Sequence, residues 1–196
     1  MTCSYEKGEA ITVYCASSVT IDESYFKAAR KLGAEIAKRG ITLVTGAGSM
    51  GLMGAVNDAA MAAGGTTIGV IPQFMVDRDW HHKGLTRLEI TDSMHSRKEM
   101  MANLSVGAIA LPGGIGTFEE LLEIITWRQL GLYDGNIVIY NVNGYYDNLL
   151  AMLDTAIDQK FMKPDHSHLW QVADDAAEAV DMALNTNINK SFSAKF

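Results

Sequence analysis

Short apolar segments rich in β-branched residues alternate with longer segments of helical spacing along this sequence. ITVYCAS (residues 11–17), ITLVTG (41–46) and TTIGVIP (66–72) predict strands, and residues 22–39 and 51–65 between them predict helices. Parallel strands need crossover connections, which are usually helices. The alternation therefore predicts an α/β protein with a mostly parallel sheet that helices cover on both faces.

The second half of the chain continues the alternation after a long polar loop. We predict strands at LEIT (88–91), VGAIALP (106–112), NIVIYN (136–141) and LWQVA (169–173). The predicted helices are residues 93–105, 118–131, 145–161 and 174–185. Because the sequence has neither a repeat nor a low-complexity linker, we expect residues 1–196 to form a single domain, with residues 1–10 and 185–196 as flexible ends.

The overall charge and composition exclude some classes of function. The formal net charge of −7 argues against nucleic-acid binding, which needs a basic surface. The sequence has no apolar run long enough to span a bilayer and no signal-peptide pattern at its start, so we expect a cytoplasmic protein that does not bind membranes. Cys3 and Cys15 are the two cysteines, and we expect both to be reduced.

One stretch is basic in this acidic chain, and we call residues 78–98 the basic segment. Its cationic and imidazole side chains are Arg78, His81, His82, Lys83, Arg87, His95, Arg97 and Lys98. Such a concentration of positive charge can attract a small anionic ligand. Neighbouring cations on one helix are nevertheless more often simply solvated, and that explanation stays open for Arg97 and Lys98.

The sequence LPGGIGTFEE (residues 111–120) joins a predicted strand to a predicted helix. Gly113, Gly114 and Gly116 predict a tight turn that exposes backbone N–H groups at the start of the helix. The helix dipole adds partial positive charge there, so the turn is suited to bind a phosphate. The turn is not a P-loop, because no Gly-Lys-Ser/Thr follows, and this argues against nucleoside triphosphate hydrolysis.

Glu120 has two explanations at this point. Thr117 and Glu120 fit a capping box, in which the threonine would cap the helix and the glutamate would reach back to its first N–H. Alternatively, Glu119 and Glu120 lie next to a phosphate site, where a carboxylate is an unfavourable choice unless it takes part in chemistry. The sequence leaves the structural and the catalytic explanation open.

A second glycine-rich sequence, GAGSMG (residues 46–51), satisfies the dinucleotide pattern G-x-G-x-x-G. It follows the second strand rather than the first, and no acidic residue stands about twenty residues later to bind a ribose. A nicotinamide dinucleotide site is therefore disfavoured. Because ligands of parallel sheets bind beyond the carboxyl ends of the strands, we expect the turns at 16–18, 45–49 and 112–117 to converge there.

The paired sequences SMHSRKEMM (93–101) and LPGGIGTFEELLEIITWRQLG (111–131) resemble the LONELY GUY (LOG) family of cytokinin-activating phosphoribohydrolases. GSMGLMGAVNDAAMAAGG, IGVIP and NGYYDNLL extend the resemblance over roughly residues 11–162. The resemblance implies a Rossmann-like three-layer sandwich, at least a homodimer, and hydrolysis of a nucleoside 5′-monophosphate to free base and ribose 5-phosphate. Members often carry the label "lysine decarboxylase", but nothing in the sequence argues for pyridoxal phosphate chemistry.

The resemblance also implies roles for individual residues. Glu120 and Arg97 would be catalytic, with Glu120 facing the ribose and Arg97 orienting it or assisting the departing base. The residues expected to bind substrate are Lys98, Gly113, Gly114, Gly116, Thr117, Glu119, Met94, Thr126, Asp79, Ser17, Gly46 and Gly48. No cofactor is implied. No metal is expected either, because His81–His82 and His166–His168 lack partners at ligand spacing.

Several residues depart from the family pattern. Ala16 and Ala47 replace glycines, Val106-Gly107 replace Asp-Ala, and Asp79 stands where many members have glutamate near the base. The base therefore stays open among isopentenyladenine, adenine and other purines. A non-catalytic nucleotide carrier or sensor is the alternative function, and Glu120 together with Arg97 favours the enzyme.

Overall fold

A computed structural model describes residues 9–185 of the chain. Its centre is a sheet of seven strands in the order β4-β3-β2-β1-β5-β6-β7, and every neighbouring pair is parallel. The strands are β1 (Ala10–Tyr14), β2 (Thr42–Thr45), β3 (Thr67–Pro72), β4 (Arg87–Thr91), β5 (Gly107–Ala110), β6 (Asn136–Tyr140) and β7 (Gln171–Ala173). The predicted mostly parallel sheet is thus confirmed, and all of its strands are parallel.

Helices cover both faces of this sheet. They are α1 (Glu23–Lys38), α2 (Gly51–Ala62), α3 (Gln73–Val76), α4 (Met94–Leu104), α5 (Ile115–Gln129), α6 (Asp147–Asp158) and α7 (Ala176–Leu184). One apolar cluster joins α1, α2 and α7 to one face, and a second joins α4, α5 and α6 to the other. The three-layer Rossmann-like sandwich is confirmed. Within residues 9–185, no helix is both long and apolar enough to cross a bilayer.

Burial of complementary surfaces explains why these segments form the layers. β1, β5 and β6 are buried along their whole length, as expected for central strands covered on both faces. Helix α1 buries one stripe, including Ala29, Leu32 and Ile36, and Asp22 caps its first turn by accepting a hydrogen bond from the Ser24 N–H. These helices and strands fix the positions of the loops at the carboxyl edge of the sheet.

The predicted ends differ from the structure in two places. Ala10 is buried as the first residue of β1 and pairs with Thr42, so the predicted flexible segment extends too far. Helix α5 begins at Ile115 rather than at residue 118. Cys15 is a free, buried thiol, as expected. The prediction for Cys3 and the remaining predicted flexible residues lie outside the described range, apart from Glu9 and Asn185 at its limits.

Candidate active site

The candidate site lies where β1 and β5 are adjacent at the middle of the sheet. From β1 the chain continues to β2 on one side, and from β5 it continues to β6 on the other, which makes this pair the topological switch point. The Ala16 N–H donates to the Pro112 carbonyl (3.2 Å), and the Met53 N–H donates to the Ala16 carbonyl (3.1 Å). The Gly48 N–H in turn is directed at the sulfur of Met53 (2.9 Å). The predicted convergence of the three small-residue turns is therefore confirmed, at the position where such sheets bind ligands.

The glycine turn after β5 opens helix α5 without a side-chain cap. Gly114 is the N-cap residue with extended backbone (φ −90°, ψ −156°). A side chain at Gly113 would overlap the hydroxyl of Thr117, whereas a Cβ at Gly114 or at Gly116 would have no neighbour within 4 Å. The turn thus needs glycine at residue 113 for packing, and the first amides of α5 lack any side-chain acceptor.

The predicted capping box is wrong. Because Gly114 caps α5, Thr117 and Glu120 both lie inside the helix, and neither side chain reaches the N-cap residue. The turn is shorter than the sequence suggested, since it runs from Leu111 to Gly114 and the helix begins at Ile115. The structural explanation of Glu120 as a cap therefore disappears.

Two tyrosines hold the glycine turn through its carbonyl groups. The hydroxyl of Tyr146 donates to the carbonyl of Leu111 (2.7 Å), and the hydroxyl of Tyr145 donates to the carbonyl of Gly113 (2.5 Å). Tyr146 is fully buried, and its ring packs edge-to-face against those of Tyr145 and Phe118. These bonds fix the path of the turn. Both tyrosines belong to the sequence NGYYDNLL, which resembles the family, but that pattern alone does not indicate this role.

Arg97 and Glu120 form a buried ion pair behind the turn. Nη1 of Arg97 donates to Oε1 of Glu120 (3.1 Å), and Nε donates to the carbonyl of Val70 (3.0 Å). Arg97 is 5% exposed and Glu120 is 8% exposed. A Cβ at Gly46 would overlap the guanidinium, so that glycine provides the space for it. The solvated-face explanation of Arg97 is therefore wrong.

Glu120 holds its proton more tightly than an exposed glutamate does. Burial raises the pKa of Glu120 above its ordinary value, the positive charge of Arg97 acts against that rise, and the negative charge of Glu119 reinforces it. Burial also raises the pKa of Tyr14 and of Cys15, which keeps both neutral beside this carboxyl. A carboxylate that holds its proton more tightly than usual is a better base near neutral pH.

Lys98 follows Arg97 on α4 and is also buried, at 5% exposed. Its ammonium group forms ion pairs with Glu119 and with Glu123 (2.8 Å to Oε2), both on α5. Burial would lower the pKa of Lys98, but its hydrogen bonds to the two carboxylates outweigh that effect and raise it. Glu123 was not expected at the site, although its position one helical turn after Glu119 on α5 was a usable signal.

Five other predicted residues have different surroundings. Ser17 lies exposed in the loop after β1, and its backbone packs closely against Gly51. Gly48 directs its N–H at the sulfur of Met53 (2.9 Å), and Met94 is a partly exposed first residue of α4.

Thr126 is exposed and donates to the Leu122 carbonyl of its own helix (2.8 Å). Asp79 is exposed and bonds to Lys83, so the structure does not join Thr126 or Asp79 to the Arg97–Glu120 pair.

The basic segment is largely neutralised by local partners. His82 pairs with Asp58 (2.9 Å), Lys83 with Asp79, and Arg87 with Glu89 (2.7 Å). Arg78 stacks over the rings of Phe74 and Trp80. Five of its eight basic side chains therefore already pair with carboxylates, which weakens the attraction of this segment for a small anion. The backbone of this segment instead packs on the loop after β2, where the His82 N–H donates to the carbonyl of Ala47 (2.8 Å).

Ala47 holds an unusual backbone conformation in that loop. Its φ of 64° lies in the left-handed region, which costs a non-glycine residue of order 1 kcal/mol, and the residue is fully buried. A side chain at Gly69 would overlap Ala47, so the two residues are tightly packed. Ala47 therefore holds a backbone conformation that glycine would adopt more easily.

Neither the histidines nor the carboxylates assemble a metal centre in the part of the chain that the structure describes. No three His, Cys, Asp or Glu side chains between residues 9 and 185 are grouped closely enough to hold an ion. The carboxylates nearest the site are used in ion pairs, Glu120 with Arg97 and Glu119 with Lys98.

Comparison with known proteins identifies relatives over most of the chain. Residues 53–183 match the family model described as "Possible lysine decarboxylase". The chain is 43% identical over 174 residues to cytokinin riboside 5′-monophosphate phosphoribohydrolase LOG1 of Arabidopsis thaliana, covering 89% of this chain and 82% of that one. It is 42% identical over 171 residues to the probable phosphoribohydrolase LOGL6 of Oryza sativa subsp. japonica, covering 87% and 68%.

Solved structures share the same architecture. The molybdenum cofactor carrier protein of Chlamydomonas reinhardtii superposes with a TM-score of 0.66 at 26% sequence identity, covering 88% of this chain and 93% of that one. Its similarity extends over the sheet and both helical layers, since nearly the whole of each chain is matched. The same fold therefore occurs in a protein named as an enzyme and in a protein named as a carrier.

Proposed function

The chain belongs to the LOG family, and on that premise we propose that it hydrolyses the N-glycosidic bond of a purine riboside 5′-monophosphate. The products are the free base and ribose 5-phosphate. The substrate is a cytokinin-type nucleotide or AMP. The relatives' names support this reaction class, and the geometry of the site supports the roles of individual residues.

The observation that carries the proposal is the buried Arg97–Glu120 pair next to the uncapped start of α5. The amides of Ile115, Gly116 and Thr117 at that helix start are suited to bind the 5′-phosphate. A protein that only binds phosphate gains nothing from a buried carboxylate beside it, because the two negative charges repel. The carboxylate has a use if positive charge develops on the ribose.

Hydrolysis of the glycosidic bond develops such a charge. As the bond between base and anomeric carbon breaks, the sugar becomes oxocarbenium-like, and a fixed carboxylate stabilises it. Water adds its oxygen to the anomeric carbon and the departing base takes up a proton. The ionised carboxylate of Glu120 stabilises the cationic sugar, and its raised pKa makes it a stronger base toward the attacking water.

Arg97 serves this reaction by positioning Glu120. Its two hydrogen bonds, to Glu120 and to the Val70 carbonyl, hold the carboxylate in one orientation relative to the sheet. Arginine keeps its proton at any ordinary pH, so direct proton donation by Arg97 is excluded from the proposal. Ser17, Gly48 and Met94 border the same edge of the sheet and would contact the rest of the nucleotide, with Asp79 and Thr126 farther from the reacting bond.

The "lysine decarboxylase" label of the family model has no support from Lys98. A lysine that forms a Schiff base must lose its proton easily, and such lysines have a lowered pKa. The ion pairs of Lys98 with Glu119 and Glu123 raise its pKa instead. The buried lysine at the site is therefore unsuited to bind pyridoxal phosphate covalently.

A homodimer or larger homo-oligomer is part of the proposal. Helix α5 carries apolar side chains on an exposed stripe, in which Ile115 is 82% exposed and Leu122 and Leu130 are each exposed by more than a third. Thr126 lies on the same stripe by helical spacing. A second copy that covers this stripe would bury its apolar surface together with Thr126. Light scattering after size exclusion measures the assembly.

We further propose that the whole chain acts as one cytoplasmic domain on a free nucleotide rather than on nucleic acid. The single seven-stranded sheet spans the described residues, and the net charge of −7 opposes binding to a polyanion.

A second candidate function is a carrier, which the similarity to the molybdenum cofactor carrier protein favours. Incubation of the purified protein with AMP and, separately, with isopentenyladenosine 5′-monophosphate distinguishes the two, with chromatography of the free base as the readout. Glu120→Gln is the matched control. We expect equal amounts of base and ribose 5-phosphate from the wild type and none from the variant. Tight binding of these nucleotides without release of base would support the carrier instead.

A further inference from the structure

We propose that Lys98 is a positioning residue, clamped by Glu119 and Glu123, that holds α4 against α5 so that Arg97 stays on Glu120. This inference rests on the proposed function, and it replaces the role in nucleotide binding that the family resemblance implies for Lys98. It also assigns a role to Glu123, which sequence analysis overlooked.

Two consecutive residues of α4 form ion pairs with α5. Consecutive residues on α4, Arg97 and Lys98, pair with consecutive residues on α5, Glu120 and Glu119. Glu123 lies one turn farther along α5 and gives Lys98 its second carboxylate. Because Lys98 is bonded to two positions on α5, it fixes both the separation and the register of the helices that carry the reacting pair.

The surroundings of Lys98 are unsuited to a phosphate. Two of its three N–H donors are directed at carboxylates, and only 5% of the residue is exposed. With Glu119 and Glu123 ionised, the lysine and its two partners together carry a net charge of −1, which repels a phosphate dianion. The uncapped amides at the start of α5 are the more favourable phosphate site.

Lys98 and its partner Glu119 also change the electrostatic environment of Glu120. The groups that face this carboxyl are Arg97 and Lys98 from α4, Glu119 on its own helix, Tyr14 of β1, Cys15 after β1 and Tyr146 before α6. Lys98 lowers the pKa of Glu120 and Glu119 raises it. Loss of Lys98 and loss of Glu119 should therefore move the acidic limb of the pH–rate profile in opposite directions, which a role in packing alone would not produce.

The test compares Lys98→Met, Glu123→Gln, their double variant and Glu119→Gln, with Lys98→Arg as the conservative control. For each, kcat and KM for AMP are measured between pH 4 and 9, and the affinity for ribose 5-phosphate is measured by calorimetry. Melting curves identify variants that do not fold. Glu123→Gln removes only one of the two bonds to Lys98, so it keeps the proposal testable if Lys98→Met does not fold.

We expect Lys98→Met to lower kcat by about 10- to 100-fold, since misplacement of a reacting group costs up to about that much, while the affinity for ribose 5-phosphate changes less than about twofold. Glu123→Gln should reduce kcat in the same direction, and the double variant should be no worse than Lys98→Met. Lys98→Arg should restore part of the rate. The acidic limb should move to higher pH in Lys98→Met and to lower pH in Glu119→Gln.

A rise of tenfold or more in KM and in the ribose 5-phosphate dissociation constant, with kcat unchanged, would make Lys98 a ligand and overturn the proposal. Unchanged kinetics in a folded Lys98→Met protein would overturn it as well. If the wild type itself released no base, the proposed function would fail. Ribose 5-phosphate affinity would then decide the question for Lys98, because unchanged binding supports a non-ligand role and weakened binding contradicts it.

Discussion

The guanidinium of Arg97 occupies the space that a side chain at Gly46 would need. Gly46 directly follows β2, and a Cβ there would lie 2.9 Å from Cζ of Arg97. Arg97 cannot withdraw freely, because Nε is bonded to the Val70 carbonyl and Nη1 to Glu120. The absence of a side chain at Gly46 therefore leaves the space that the guanidinium of the ion pair occupies.

Gly46→Ala should displace Arg97 from Glu120. We expect kcat to fall by about 100-fold, as for other misplacements near 1 Å, and stability to fall by about 1–3 kcal/mol from overpacking. Steady-state kinetics and a urea melt measure the two effects. Gly84→Ala is the control, since a Cβ there comes no nearer than 3.1 Å to His82. Full activity in folded Gly46→Ala would show that the position of Arg97 is unimportant.

Glu120→Gln should abolish turnover without lowering the melting temperature at pH 7. Because the folded-state pKa of Glu120 is raised, the stability linked to its protonation is complete below the ordinary glutamate pKa of about 4.3 and is lost as pH rises through the folded value. The neutral glutamine avoids that loss. Melting curves at pH 4 and pH 7 should therefore show that the melting temperature of the variant, relative to that of the wild type, is higher at pH 7 than at pH 4. A difference in melting temperature between variant and wild type that did not change between pH 4 and pH 7 would contradict the raised pKa.

Cleavage should depend on the 5′-phosphate. Binding of the phosphate at the start of α5 orients the sugar against Glu120, so a 5′-monophosphate should have a kcat/KM at least about 100-fold higher than its nucleoside. Parallel assays with AMP and adenosine measure the ratio. Similar values for both would remove the phosphate from the mechanism.

Chelation should leave the activity unchanged. The proposed chemistry uses a carboxylate and backbone amides, and it includes no metal-bound water. Overnight dialysis against EDTA, followed by an assay in metal-free buffer, should retain the original rate. A loss of activity that a divalent ion restores would show that the reaction needs a metal.

Tyr146→Phe should loosen the glycine turn. The buried hydroxyl donates to the Leu111 carbonyl, and its removal leaves that carbonyl without this donor at a cost of about 1–3 kcal/mol. We expect KM for the monophosphate to rise more than kcat falls. Tyr145→Phe is the matched control, because Tyr145 is partly exposed and water can replace its bond to Gly113. An equal loss of stability in both variants would contradict this difference.

The sequence predicted the order of the elements because burial on both faces leaves continuous apolar strands, and these stand out at β1, β5 and β6. Periodicity alone could not decide between a solvated face and a functional site for Arg97 and Lys98, since their partners on α5 lie more than twenty residues later in the chain. The capping box failed for a different reason. Thr117 and Glu120 have the correct spacing, but Gly114 had already started the helix.

Gly114 gives α5 no side chain to accept hydrogen bonds from its first amides. A bound phosphate would supply these acceptors, and in that sense the substrate would be the cap of the helix. Binding of the phosphate would then also complete the hydrogen bonding of α5. The melting temperature of the protein should therefore rise with the concentration of the ligand. Ribose 5-phosphate at one hundred times its dissociation constant would add about 2.7 kcal/mol to the free energy of unfolding. A cell rich in the reaction's product would thereby stabilise the protein that makes it.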